Sequence, residues 1–168
     1  FTILSFALLG VIIFQSCKKD DTNDTPQEFV ADNSTFSNFM SWPIDATADG
    51  ADPALGGAHA GNDSTVKRNV YFQNGQNRVN GVYPIGTLIV KHTKNPDLTV
   101  DEYTAMAKRG NNFSPTGGDW EFFVLKPDGS IATDGNGNVL RGSTGLMNGM
   151  CLNCHSAASS KDYIFSKN

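Results

Sequence analysis

Apolar and polar positions alternate over short stretches of this chain. That period-two pattern predicts strands at residues 66–73, 86–93, 99–108 and 119–125. Turn chemistry bounds each run: Asn74-Gly75, Asn95-Pro96-Asp97, Pro115-Thr116-Gly117-Gly118 and Pro127-Asp128-Gly129. Residues 130–141 read as a further hairpin around Asp134-Gly135-Asn136-Gly137. No connection between runs is long enough for a crossover helix, so the sheet is expected to be antiparallel. Phe36, Phe39 and Met40 stand at i, i+3 and i+4 and predict a short N-terminal helix. Asp32 or Ser34 is its N-cap, and Trp42-Pro43 ends it. Residues 45–64, rich in Gly, Ala and Asp, read as a loop.

The beginning of the chain follows a different pattern. Residues 1–14 carry no charge and match the length of a signal-peptide apolar region, too short to span a bilayer comfortably. The run lacks an initiating Met and a basic segment, so the precursor is expected to start further upstream. It ends Phe14-Gln15-Ser16-Cys17, followed by Lys18-Lys19-Asp20-Asp21. A small residue before a cysteine resembles a bacterial lipobox, and the junction looks like those of Bacteroidota lipoproteins. This implies a signal peptide over 1–17 with Cys17 lipidated. The competing reading is an ordinary cleaved signal peptide and an incidental Cys17. Residues 18–28 are polar and charged and read as a flexible tether. The folded domain is therefore expected over 29–168, in an exported protein of the periplasm or outer membrane that meets the membrane only through its lipid.

Composition narrows the class. The chain of 168 residues holds 17 Gly and 16 Asn, which favour turns over long helices. Lys plus Arg total 13 against 17 Asp plus Glu, and this acidic balance speaks against nucleic acid as a partner. At 39% hydrophobic and 18% charged, the chain can fill one core and is no disordered polyelectrolyte.

The chemistry lies near the C-terminus. Cys151-Leu152-Asn153-Cys154-His155 has the C-x-x-C-H spacing of a c-type haem attachment site. Two thiols add to the two vinyl groups of the macrocycle, and the adjacent His supplies a nitrogen to the iron. Three other readings compete. A structural disulfide suits an exported protein. A thioredoxin-like pair needs a βαβ context that this pattern lacks. A zinc site needs four ligands, so His59 and His92 would have to complete it. Covalent haem accounts best for both thiols and the adjacent imidazole.

The motif's late position in a strand-rich chain, together with several other segments, resembles the cytochrome P-460 family and its relative cytochrome c-prime-beta. The matching segments are Arg68-Asn69-Val70-Tyr71, residues 86–91 (GTLIVK), residues 115–122 (PTGGDWEF), residues 151–155, and Asp162-Tyr163-Ile164-Phe165. The resemblance implies a small α+β domain dominated by an antiparallel β-sheet, with an N-terminal helix and a C-terminal helical haem-attachment segment. It implies a homodimer in which each subunit holds one haem c, its iron ligated by His155. The family's lysine that crosslinks to the porphyrin corresponds to Lys91, and its distal arginine to Arg68. Its distal glutamate falls at Thr104, a departure, and Glu102 on the same strand face is the substitute. Members with the crosslink oxidise hydroxylamine and pass electrons to a redox partner protein. Relatives without it bind nitric oxide and similar gases. A simple electron carrier is the third class, and would need a sixth ligand such as Met106.

The remaining polar residues have plainer readings. Ile89 and Lys91 are expected on one face of their strand, and Val90 and His92 on the other. His92 is expected at the surface or rim, and His59 in a solvated loop. Met40 and Met106 are expected in the core. Trp120, Phe122 and Phe123 are expected as core and haem-wall residues, with residues 163–165 packed behind the haem motif.

Overall fold

The computed structural model describes residues 27–75 and 77–165. The signal peptide, Cys17 and most of the tether lie outside the described residues. Among the described residues no helix is long and apolar enough to cross a membrane.

Six strands form one antiparallel sheet: β1 Ile44–Asp49, β2 Lys67–Phe72, β3 Leu88–Lys94, β4 Asp101–Lys108, β5 Trp120–Leu125 and β6 Arg141–Gly142. Their order in the sheet is their order in the chain. The four expected strands become β2 to β5, each starting one or two residues later than expected, and β3 ending one residue later. The expected hairpin at 130–141 is irregular, with isolated bridges Leu125–Ile131 and Thr133–Val139 leading into β6.

β1 corrects the sequence reading, which made residues 45–64 a loop throughout. None of its residues is buried and its sequence, IDATAD, carries a single large apolar side chain, so no apolar alternation marks it. It pairs with β2 through a register irregularity between Ile44 and Ala46. The expected N-terminal helix is also corrected. Residues 33–38 form successive turns, and only Phe39–Ser41 makes one 3₁₀ turn. Asp32 Oδ1 accepts from the Ser34 backbone N–H and from both the Ser34 and Thr35 hydroxyls, and this local bonding supports a turn as readily as a helix cap.

Register fixes what each face carries. Tyr71, Val90, Ala105 and Phe123 lie on one side, covered by residues 29–42. Phe36 packs on Phe123 at 5.0 Å, and Phe39 meets Tyr71 and Tyr103 edge-on. Arg141 clamps this layer by pairing both oxygens of the buried Glu121 while donating to the Ala31 carbonyl.

The other face carries Val70, Ile89, Lys91, Thr104, Met106 and Phe122. The C-terminal segment covers part of it. Helix α1, Met150–His155, continues into 3₁₀ turns over Ser156–Lys161. Leu146, Leu152 and Ile164 seat this segment on Phe72, Tyr83 and Trp120. Gly118 allows the close approach: its φ is +59°, and a Cβ there would stand 2.7 Å from the Tyr163 ring.

Candidate functional site

Between the sheet and the C-terminal segment lies a cavity of about 550 Å³. The sheet forms its floor with Val70, Ile89, Lys91, Thr104, Met106 and Phe122. One wall is the C-terminal segment, bringing Met147, Met150, Cys151, Cys154, His155, Ile164 and Phe165. Another is the loop after β1, bringing Leu55, Gly57, Ala58 and His59. Its size lies within the usual range for small-molecule and cofactor sites, about 300–1,000 Å³.

Cys151, Cys154 and His155 sit together on α1. One turn of helix is what gives C-x-x-C two side chains on one side, with the next residue beside them. The backbone reaches α1 through a sharp turn: Met147, Asn148 and Gly149 all have positive φ. Both cysteines are free thiols and half-buried, and burial raises the Cys151 thiol above its ordinary value. His155 Nδ1 lies 2.7 Å from the Tyr163 carbonyl oxygen. A carbonyl only accepts, so Nδ1 carries the proton and Nε2 keeps its lone pair. Burial lowers the His155 pKa, which favours the neutral ring that a metal requires. Phe122 and Phe165 flank the imidazole at 5.2 and 5.4 Å.

Lys91 rises from the floor, with Val70 beside it on β2 and Thr104 opposite on β4. Burial, aided by Arg68, brings its pKa down to about 8. Glu102 lines the cavity from the exposed end of β4, two pairs further along, opposite Thr93.

Arg68 is only 2% exposed and works beside the cavity. Its guanidinium donates to the carbonyls of Gly50, His59 and Ala60 at 2.7–2.9 Å. It thereby holds the loop that forms one wall.

Two histidines depart from their sequence readings. His92 is buried, stacked on Tyr103 at 4.3 Å, with Nε2 2.7 Å from Asp101 Oδ1. It belongs to the opposite face, and the alternation along β3 foretold that. His59 is half-buried in the cavity wall, where the reading had a solvated loop side chain. No local pattern announces it, because its position depends on Arg68 reaching back from β2.

The residues present fit a c-type haem. The cavity is mostly apolar, two free thiols flank it, and one imidazole has its rear nitrogen held and its front nitrogen open. A macrocycle supplies four nitrogens itself, so a single protein ligand suffices. Among the described residues, no three His, Cys, Asp or Glu side chains converge in a way that would hold a bare metal ion. No protein-family model matches the chain, and no curated protein or solved structure matches it either.

Proposed function

We propose that this protein is an exported mono-haem c-type cytochrome of the cytochrome P-460 type, acting on hydroxylamine or a related small nitrogen compound and passing electrons to a redox partner protein. The observation that carries the reading is the grouping of Cys151, Cys154 and His155 on one helical wall of the cavity. His155 is oriented by the Tyr163 carbonyl, as histidine ligands to metals commonly are by a second partner.

When bound, haem would supply an iron capable of one-electron chemistry. Cys151 and Cys154 would tether it, and His155 Nε2 would ligate the iron. Lys91 stands on the cavity floor, where its neutral amine could accept a proton from a small nitrogen compound held in the cavity. Its pKa near 8 leaves a sizeable neutral fraction at mildly alkaline pH. Phe122, Phe165, Val70 and Ile89 line the site with apolar surface. A homodimer held at the membrane by lipid on Cys17 belongs to the same reading.

Gas binding without turnover is the second reading, and Thr104 favours it. The residue directly across from Lys91 is a hydroxyl, which is no general base at neutral pH. The nearest carboxylate on that strand, Glu102, lies at the exposed end. Hydroxylamine turnover by the haem-loaded protein separates the two readings.

The haem assignment is tested by intact-mass measurement after export with the haem-maturation machinery. One added haem is expected in the parent and none in Cys151→Ser/Cys154→Ser. A folded, haem-free parent with residues 151 and 154 disulfide-bonded would overturn it.

A further inference from the structure

Two histidines line this cavity from different walls. His155 has one ring nitrogen held by Tyr163 and the other open. His59 differs: among the described residues, neither of its ring nitrogens has a protein hydrogen-bond partner. A half-buried imidazole that lines an apolar cavity with both nitrogens unengaged by the protein is free to take a partner inside that cavity.

Its placement is also enforced. His59 and Ala60 have φ values of 50° and 49°, a left-handed backbone that residues with a Cβ rarely adopt. The surrounding structure must hold them there. Arg68 does so, donating to the carbonyls of both residues and to Gly50 from a fully buried position. A buried arginine thus fixes a strained two-residue segment whose one polar side chain enters the cavity.

Resting on the haem reading above, we infer that His59 is a second, exchangeable axial ligand of the iron, on the side away from His155. A ring nitrogen of His59 donates its lone pair to the iron when no external ligand is present. An incoming small molecule replaces that bond with its own, and the freed imidazole returns to the cavity. No electron or proton changes hands in the exchange. The ring is suited to it: burial, with Lys91, His155 and Arg68 nearby, pushes the His59 pKa down to about 3, so the lone pair stays available at neutral pH. Met106 and Lys91 also line the cavity, but both rise from the sheet floor.

The test uses the full chain, haem-loaded through the maturation machinery. The variants are His59→Gly and His59→Asn, because both residues tolerate a left-handed backbone and leave the loop intact. The ferric parent should show a low-spin absorption and electron paramagnetic resonance spectrum, and both variants should become high-spin. Added imidazole should restore the low-spin signal in His59→Gly, a rescue that loss of structure alone would not produce. If His59 occupies the iron about nine-tenths of the time, cyanide affinity should rise about tenfold in the variants. A high-spin parent overturns the inference while leaving the haem assignment standing. A variant that stays low-spin does the same and assigns the sixth position to Met106 or Lys91. Loss of haem from the parent, read by intact mass, defeats the haem assignment first and this inference with it.

Discussion

Lys108 and Asp162 form a buried ion pair, the ammonium of one reaching both carboxylate oxygens of the other at 2.7 and 2.8 Å. Lys108 ends β4, and Asp162 begins the last described stretch of chain. Asp162 also accepts from the Tyr83 backbone N–H, and its carbonyl accepts from Trp120 Nε1. The next residue, Tyr163, supplies the oxygen that orients His155. The pair therefore sets the position of the candidate iron ligand from the far side of the cavity wall.

Replacing Asp162 by Asn keeps an acceptor for Tyr83 but strands the Lys108 charge in the interior. Uncompensated buried charges of this kind cost about 3–5 kcal/mol. Urea denaturation should show a loss of that size, and adding Lys108→Met should recover part of it. Equal stability of the single and double variants would show that the charge is not the cause.

Lys91 should make stability depend on pH in a defined window. Its pKa is about 8 in the folded chain against an ordinary 10.5. Below pH 8 both states hold the proton, and the burial cost is fully present. Between pH 8 and 10.5 the unfolded chain binds more protons, so stability rises with pH. In the haem-free protein, the parent should gain on the order of 2–3 kcal/mol relative to Lys91→Met between pH 7 and pH 10.5. A flat difference across that range would mean the side chain reaches solvent.

The same lowered pKa bears on a covalent bond to haem, because only the neutral amine has a lone pair to form it. A crosslink at Lys91 would interrupt part of the porphyrin conjugation and move the ferrous Soret band well to the red. Lys91→Leu should then give an ordinary c-type spectrum with the haem still attached. Identical spectra for parent and variant would place the protein with the gas binders.

Arg68 should matter through the loop it holds. Arg68→Ala removes the donor from three carbonyls at once, and charged hydrogen bonds are worth about 1.5–3 kcal/mol each in favourable settings. A loss of about 3 kcal/mol is expected, with amide hydrogen exchange accelerated across residues 50–61. Arg68→Lys should rescue little, since a single ammonium cannot match the three-way fork. If exchange in the loop is unchanged, the segment is held by other contacts.

The sheet was legible in the sequence wherever one face is strongly apolar. Alternation along residues 88–94 separated Lys91 from His92 correctly, because the pleat alternates whatever else the fold does. β1 was hidden because this edge strand buries none of its residues and is mostly alanine, aspartate and threonine, a composition equally at home in a loop. The stretch at 36–40 had a helical spacing, yet the backbone there runs through successive turns into a single 3₁₀ turn, and the side-chain bonds of Asp32, Ser34 and Thr35 suit either form. At the site, Cys151, Cys154 and His155 were visible as a local motif. His59 was not, because a side chain's entry into a cavity can depend on an arginine nine residues later in the chain. Long-range hydrogen bonds of that kind leave no periodic trace.

The strict sequential order of the strands has a consequence for how the molecule is made. Each strand pairs with its neighbours in the chain, so the sheet is assembled from contacts of low sequence separation, which close at lower entropic cost. β2 to β5 can zip together, with Lys91 and Thr104 already in register, while the stretch bearing Cys151 and Cys154 is still undocked. The docking of the C-terminal segment is what encloses the cavity, and the buried Lys108–Asp162 pair is a long-range contact that fastens it to the sheet.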